Sequence, residues 1–393
     1  MKDVYIVAGL RSAVCKAKRG AFRHFRSDDL AVELIGGLLK TLPQLAAGQV
    51  DDLIVGNAVP EAEQGLQIGR MISVRALGVP VAGMTVNRYC ASGLEAIAIA
   101  QAKIQAGMAD CIIAGGTESM SMVPTSGWKT APNYRVSLEH PDYYLGMGLT
   151  AEAVAREYKV SREDQDLFSY QSHQKSLAAI RSGELQQGIY PVEVEETGLD
   201  ASGRRVAHRR RIEVDEGPRA DTSLEALSRL KPVFAAGGSV TAGNSSQTSD
   251  GAAFVILMSD AMCRQMDVKP LGRLLSCASA GVEPRLMGIG PVEAVPKALK
   301  QAGKSLDDID LIELNEAFAS QSLAVIRQLG LNPDLVNIHG GAIALGHPLG
   351  CTGCKLTVQM LHHLQRRRQS YGLITACVGG GQGIAAVLER FLD

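Results

Sequence analysis

The strongest constraint on this chain is that it states one pattern twice. A helix-like stretch, residues 31–42, leads to Asp51-Asp52-Leu53-Ile54-Val55-Gly56-Asn57. Far downstream, a helix-like stretch at 292–302 leads to Asp308-Ile309-Asp310-Leu311-Ile312-Glu313-Leu314-Asn315. The next step repeats as well. Val86-Asn87 precedes a Gly-containing helix start and the strand Cys111-Ile112-Ile113-Ala114-Gly115-Gly116. Val336-Asn337 precedes a Gly-rich helix start and the strand Gly372-Leu373-Ile374-Thr375-Ala376-Cys377. Uninterrupted apolar strands that alternate with helices imply sheets covered on both faces. The expected fold is α/β, with two similar halves packed as α-β-α-β-α layers.

Between the copies the texture changes. Residues 149–180 read as helical, and Ser161 with Asp164 resembles a capping box. Residues 195–219 read as charged, Gly-containing and irregular. We expect an inserted loop domain at 121–240 lying over the site. Residues 1–120 plus 241–268 would form the first half and 269–393 the second. The polar stretch 241–250 leads to a strand at 252–258 that rejoins the first half.

Composition excludes several alternatives. A net charge of −1 gives no global attraction to nucleic acid or to a membrane surface. Eight cysteines in 393 residues are too sparse for a disulfide scaffold. No apolar run reaches the roughly 20 residues a membrane span needs. The chain starts without an apolar signal segment and ends in Phe391-Leu392-Asp393 without a targeting tripeptide. The expectation is a cytoplasmic, reducing setting in which thiols stay free.

Four elements carry chemistry. Cys90 lies in Asn87-Arg88-Tyr89-Cys90-Ala91-Ser92-Gly93-Leu94, at a strand-to-helix junction. The helix N-terminus there should lower its pKa and favour a nucleophilic thiolate; a buried structural thiol is the competing reading. His347 sits in the Gly-dense turn Gly340-Gly341-Ala342-Ile343-Ala344-Leu345-Gly346-His347-Pro348, suited to a neutral base or to a satisfied turn histidine. Cys377 ends an apolar strand and opens Val378-Gly379-Gly380-Gly381, a second acid/base beside N–H groups that could face an oxyanion. Asn315 ends the repeated strand, placed to orient a water or an enolate oxygen, or to cap the next helix. His347, Cys351 and Cys354 also fall at zinc-ligand spacing on a helix, but no fourth ligand is adjacent. Cys351 and Cys354 read as small packed residues.

Taken together, Asn-x-x-Cys-x-Ser-Gly-Leu, Gly-Asn-Ser-Ser, Asn-Glu-Ala-Phe, Gly-His-Pro-x-Gly and Cys-x-Gly-Gly-Gly make the chain resemble the thiolase family over essentially its whole length. The resemblance implies a 3-ketoacyl-CoA thiolase, an acetyl-CoA C-acyltransferase of fatty acid beta-oxidation that cleaves a 3-ketoacyl-CoA with CoA. Its biosynthetic counterpart, acetoacetyl-CoA thiolase, is the alternative. Gly146-Met147, where biosynthetic members carry His-Met, points to the degradative class. Within this resemblance Cys90 carries the acyl group, His347 and Cys377 move protons, and Asn315 holds a water. The N–H groups of Cys90 and Gly379 hold the oxyanion. Arg219, Ser246 and Met147 are expected CoA contacts, and the run Arg209-Arg210-Arg211 reads as a solvated face. CoA and acyl-CoA enter as substrates, with no permanent cofactor and no metal. A homodimer is expected (tetramers occur in the family), with a hydratase/dehydrogenase as pathway partner. A carrier-protein condensing enzyme would usually have His at position 315 and lack Cys377; a non-catalytic binder would be expected to lose one of the reactive groups.

Overall fold

The computed structural model describes residues 2–199 and 202–391. Met1, Leu392 and Asp393, read above for targeting signals, lie outside the described residues. The strands are β1 (Val4–Arg11), β2 (Cys15–Lys16), β3 (Asp52–Gly56), β4 (Ala82–Val86), β5 (Cys111–Ser119), β6 (Val192–Leu199), β7 (Arg205–Ile212), β8 (Ser249–Ser259), β9 (Gly272–Gly281), β10 (Leu311–Leu314), β11 (Tyr371–Val378) and β12 (Gln382–Arg390). The helices are α1 (Ser27–Lys40), α2 (Ile68–Ala76), α3 (Ser92–Gln105), α4 (Tyr134–Glu139), α5 (Met147–Glu157), α6 (Arg162–Arg181), α7 (Leu224–Ser228), α8 (Asp260–Gln265), α9 (Gly290–Ala302), α10 (Ala319–Leu329), α11 (Ala342–Leu345) and α12 (Leu349–Arg367).

The duplication is visible in the strand order. One half runs β4-β3-β5-β8-β1, with β4, β3 and β5 parallel and β8 and β1 antiparallel additions. The other runs β10-β11-β12-β9 in the same senses, and a parallel bridge from Ile312 to Val336 occupies the place of β4. Ile6 opposite Gly272 joins the two into one continuous sheet.

Period-two alternation decides which layer each residue enters. On β8, Phe254, Ile256 and Met258 face the helices α1 and α2, while Ala253, Val255 and Leu257 face the interior between the halves. On β12, Ile384, Ala386 and Leu388 face that same interior, while Ala385 and Val387 face α9. The interior layer is α3 packed on α12. Helix α1 supplies Leu30, Leu34 and Leu38 at one-turn spacing to the outer layer; each such burial contributes about 1.5–3 kcal/mol. The five expected layers are present.

The insertion departs from its expected texture. The stretch read as irregular contains the hairpin β6–β7, with Val192 paired to Ile212 and Glu195 to Arg209. Val192, Val194 and Ile212 turn inward against the α1 layer. On β7 the period was hidden because His208 and Arg210 lie on the same face as Ile212. The stretch read as one helical run is two helices, α5 and α6, with the Ser161 hydroxyl accepting the Asp164 N–H at the start of the second. Both pack against α10 of the second half. Among the described residues no helix is long and apolar enough to cross a membrane.

Candidate active site

Three loops separated by the length of the chain meet where the interior helices begin. Helices α3 and α12 cross at their N-termini with backbone in contact. A Cβ on Gly93 would lie 2.8 Å from the Gly350 carbonyl oxygen, and one on Gly353 2.4 Å from the Leu94 nitrogen. Only glycine permits that approach. The turn at Tyr89–Ala91 therefore packs against both α12 and β11.

Cys90 lies on that turn, directly after Tyr89, whose φ of 44° is left-handed. The Asn87 side-chain oxygen accepts the Tyr89 N–H at 2.8 Å and its amide donates to the Ala58 carbonyl at 3.0 Å, which fixes the turn. Of the eight cysteines, Cys90 and Cys277 keep some exposure and six are buried. The expected depressed pKa is not found. Burial pushes the Cys90 thiol up to about 12, and the opposing N–H groups of Gly379 and Cys90 itself recover only part of that. Desolvation outweighs the helix terminus, so Cys90 rests as a thiol and needs a base. Cys377 is buried and raised further, by desolvation first and then by the proximity of Cys90.

His347 follows Gly346, whose φ of 92° and missing Cβ (2.3 Å from the Ser249 hydroxyl if present) make glycine obligatory there. Burial holds the imidazole down to about 3, so it is neutral. Its tautomer follows from its neighbour. The Thr352 hydroxyl donates to the Pro348 carbonyl at 2.9 Å, so it accepts from His347 Nδ1–H at 2.6 Å. Nε2 is then the bare nitrogen, facing the Asn315 amide at 3.3 Å. Asn315 does not cap the following helix: α10 begins at Ala319, and the buried Asn315 Oδ1 lacks a protein partner. Thr352 was not picked out as a functional residue from sequence. A hydroxyl five residues after His347, in the first turn of a helix, was the available signal.

The polar loop after the insertion completes the arrangement. Ser246 N–H donates to Ala317, Ala319 N–H to Asn244, and His347 N–H to Gln247. Cys351 and Cys354 are buried in the interior core.

These positions coincide with a known protein family. The description "Thiolase, N-terminal domain" matches residues 4–261 and "Thiolase, C-terminal domain" matches 268–390. The chain belongs to the thiolase family. It is 50% identical over 391 residues to a 3-ketoacyl-CoA thiolase of Bacillus subtilis, covering 99% of this chain and 100% of that one. It is 43% identical over 409 residues to an acetyl-CoA acetyltransferase of Pseudomonas aeruginosa, covering 99% and 100%. The crystal structure of the Bacillus anthracis acetyl-CoA acetyltransferase superposes with a TM-score of 0.89 at 36% identity, covering 100% of this chain and 99% of that one.

On this thiolase a cavity of about 340 Å³ is lined by Lys16, Arg19, His173, Arg219, Leu227 and Gln247, among others. Arg219, paired with Asp221, is thus brought to it, whereas Ser246 does not line it, though its chain neighbour Gln247 does. Met147 lies elsewhere: it packs with Cys377, and a Cβ on Gly379 would lie 3.7 Å from its sulfur. Arg209, Arg210 and Arg211 alternate faces along β7, are all exposed, and pair with Glu195, Glu196 and Glu213.

Proposed function

We propose that this thiolase acts degradatively, cleaving a 3-ketoacyl-CoA with CoA to acetyl-CoA and a shortened acyl-CoA through an acyl group on Cys90. One observation carries the acyl-Cys90 chemistry, which both directions share: the N–H groups of Gly379 and Cys90 both face the Cys90 sulfur, with Cys377 beside it.

Cys90 attacks the 3-keto carbon as His347 Nε2 takes the thiol proton. The carbonyl oxygen becomes an oxyanion next to the Cys90 and Gly379 N–H groups, and losing one such donor typically costs about 100- to 1000-fold. The C2–C3 bond breaks, and its electrons form the enolate of acetyl-CoA. The enolate oxygen is held by His347 and a water on Asn315, and Cys377 supplies the proton to C2. The Cys377 thiolate then deprotonates incoming CoA, whose sulfur takes the acyl group from Cys90, and the released Cys90 thiolate recovers its proton from His347.

The degradative direction is supported by Gly146-Met147, which puts no imidazole at the start of α5, and by the name of the Bacillus subtilis relative. The names of the Pseudomonas aeruginosa and Bacillus anthracis proteins support the alternative, an acetoacetyl-CoA thiolase. In this reading residues 121–240 cover the CoA site, and 1–120 with 241–268 and 269–393 are the two thiolase halves. CoA would lie along Arg219 and Ser246, and the enzyme works as a cytoplasmic homodimer downstream of a hydratase and a dehydrogenase.

Mass spectrometry after incubation with acetyl-CoA should show one acetyl group, absent in Cys90→Ala. Thiolysis rates against 3-ketoacyl-CoAs of increasing length should favour chains longer than acetoacetyl-CoA. A preference for acetoacetyl-CoA alone would overturn the degradative reading; no acetylation would overturn the mechanism.

A further inference from the structure

The nucleophile and the base belong to different halves, and something must hold them in register. Glu118, at the end of β5, is fully buried and meets no cation within 4 Å among the described residues. Every neighbour of its carboxylate is a donor. Oε2 accepts the Ala58 N–H at 2.7 Å and the Gly350 N–H at 2.8 Å, and Oε1 accepts from the Gln64 amide at 2.8 Å and the Asn57 amide at 3.4 Å. Burial raises the pKa of this carboxyl, and the N–H groups of Ala58, Gly350, Gln64 and Val59 oppose that rise; leaving those donors unmet would be costly.

Two of the donors lead to the reactive side chains. The Ala58 carbonyl accepts from Asn87, which in turn holds the Tyr89 N–H beside Cys90. Gly350 is the second residue of α12, three positions after His347. The N-cap of that helix is Pro348, which offers no side-chain cap. Glu118 supplies the missing cap from the opposite half, its carboxyl oxygen accepting the Gly350 N–H at 2.8 Å in the first turn. The far side of the His347 loop has its own anchor. Glu316, also buried, accepts from Ile343 N–H, the Asn337 amide and the Ser172 hydroxyl. The loop is thus held at one end by its own half and at the other by the partner half.

We infer that Glu118 is the positioning residue that sets the Cys90 turn and the His347 loop in register, through the N–H groups of Ala58 and Gly350. The inference rests on the roles proposed for Cys90 and His347. Glu118 touches no substrate; it acts by keeping the sulfur and Nε2 within transfer distance.

The test uses the purified full chain and counts active sites by acetyl incorporation from acetyl-CoA. Glu118→Gln keeps one acceptor oxygen but turns an amide N–H₂ toward the Gln64 and Asn57 donors, so the side chain must shift. Thiolysis kcat per acetylatable site should fall about 100-fold, the effect of a misplacement near 1 Å, while KM for CoA changes less than threefold. A purely structural role would lower the melting temperature and the number of acetylatable sites but leave kcat per site intact, and that result overturns the inference. Should Glu118→Gln not fold, Glu118→Asp keeps the carboxyl but is one methylene too short to reach both N–H groups, and the same split is expected; unchanged kcat per site overturns the inference. An unmodified protein that takes no acetyl group would sink the proposed mechanism instead.

Discussion

The two halves share a topology and use the same position in it differently. In the first, Val86 is joined to Ser92 by a tight turn, residues 87–91, and the reactive Cys90 stays partly accessible. In the second, Val336 is joined to Leu349 by a longer loop, residues 337–348, and His347 is only 4% exposed. Both connections contain a left-handed non-glycine residue, Tyr89 at φ 44° and Asn337 at φ 46°. A nucleophile needs access for a substrate carbon, whereas a base that must stay neutral gains from burial. In the proposed mechanism the duplication supplies two equivalent positions, and the difference in loop length suits one to each task.

The largest test of this division is Cys90→Ala, which should lower thiolysis kcat/KM at least about 10⁴-fold, because removing a nucleophile disables a constellation that works as a unit. A loss under tenfold would mean the acyl group is carried elsewhere. His347→Ala should cost about 10³-fold, within the usual range for general base catalysis, and the loss should appear in the rate of Cys90 acetylation as well as in turnover.

Stability separates the regions too. Asp215, in the insertion, holds Arg11 of β1 through two contacts of 2.8 Å, with both side chains almost wholly buried. Asp215→Ala strands the guanidinium and should destabilise the protein by about 3–5 kcal/mol in urea unfolding. Although burial opposes the Asp215 carboxylate, Arg11 outweighs it and its pKa is lowered. The stabilisation is therefore present above the ordinary aspartate pKa and is lost as pH falls through the depressed one.

Milder acid should act on the second half. Burial holds both His339 and His347 down to about 3, against about 6.5 when unfolded. Between those values the unfolded chain binds more protons, so stability falls as pH drops below about 6.5. The slope is roughly 1.4 kcal/mol per pH unit for each such histidine. Hydrogen exchange at pH 5.5 should show α12 and its neighbours opening before α1 and α2; uniform opening would erase the contrast. The smallest change is Thr352→Val, which removes the acceptor that fixes the His347 tautomer. A loss of about tenfold in kcat with KM for CoA unchanged is expected, by analogy with outer partners of functional histidines.

Much of the site was legible because its chemistry sits in short local patterns. Cys90 between a strand and a helix, His347 among glycines and Cys377 at a strand end each announce themselves within ten residues. The hairpin β6–β7 was only half legible: Val192-Glu193-Val194-Glu195 alternates with a period of two, but on β7 His208 and Arg210 occupy the same face as Ile212 and break it. Nor was the state of Cys90: a helix N-terminus is visible in sequence, but the desolvation that overrides it depends on what α12 and β11 lay over the sulfur.

The sequence by itself determined the duplication and the α/β layering, and it named the candidate reactive groups, because hydrophobic period and short motifs are local properties. Only the tertiary structure decided that the insertion docks α5 and α6 on the second half, that Glu118 bridges the halves, and that His347 carries its proton on Nδ1. Those outcomes depend on contacts between residues tens to hundreds of positions apart or on hydrogen-bond direction, and neither leaves a periodic trace in the chain.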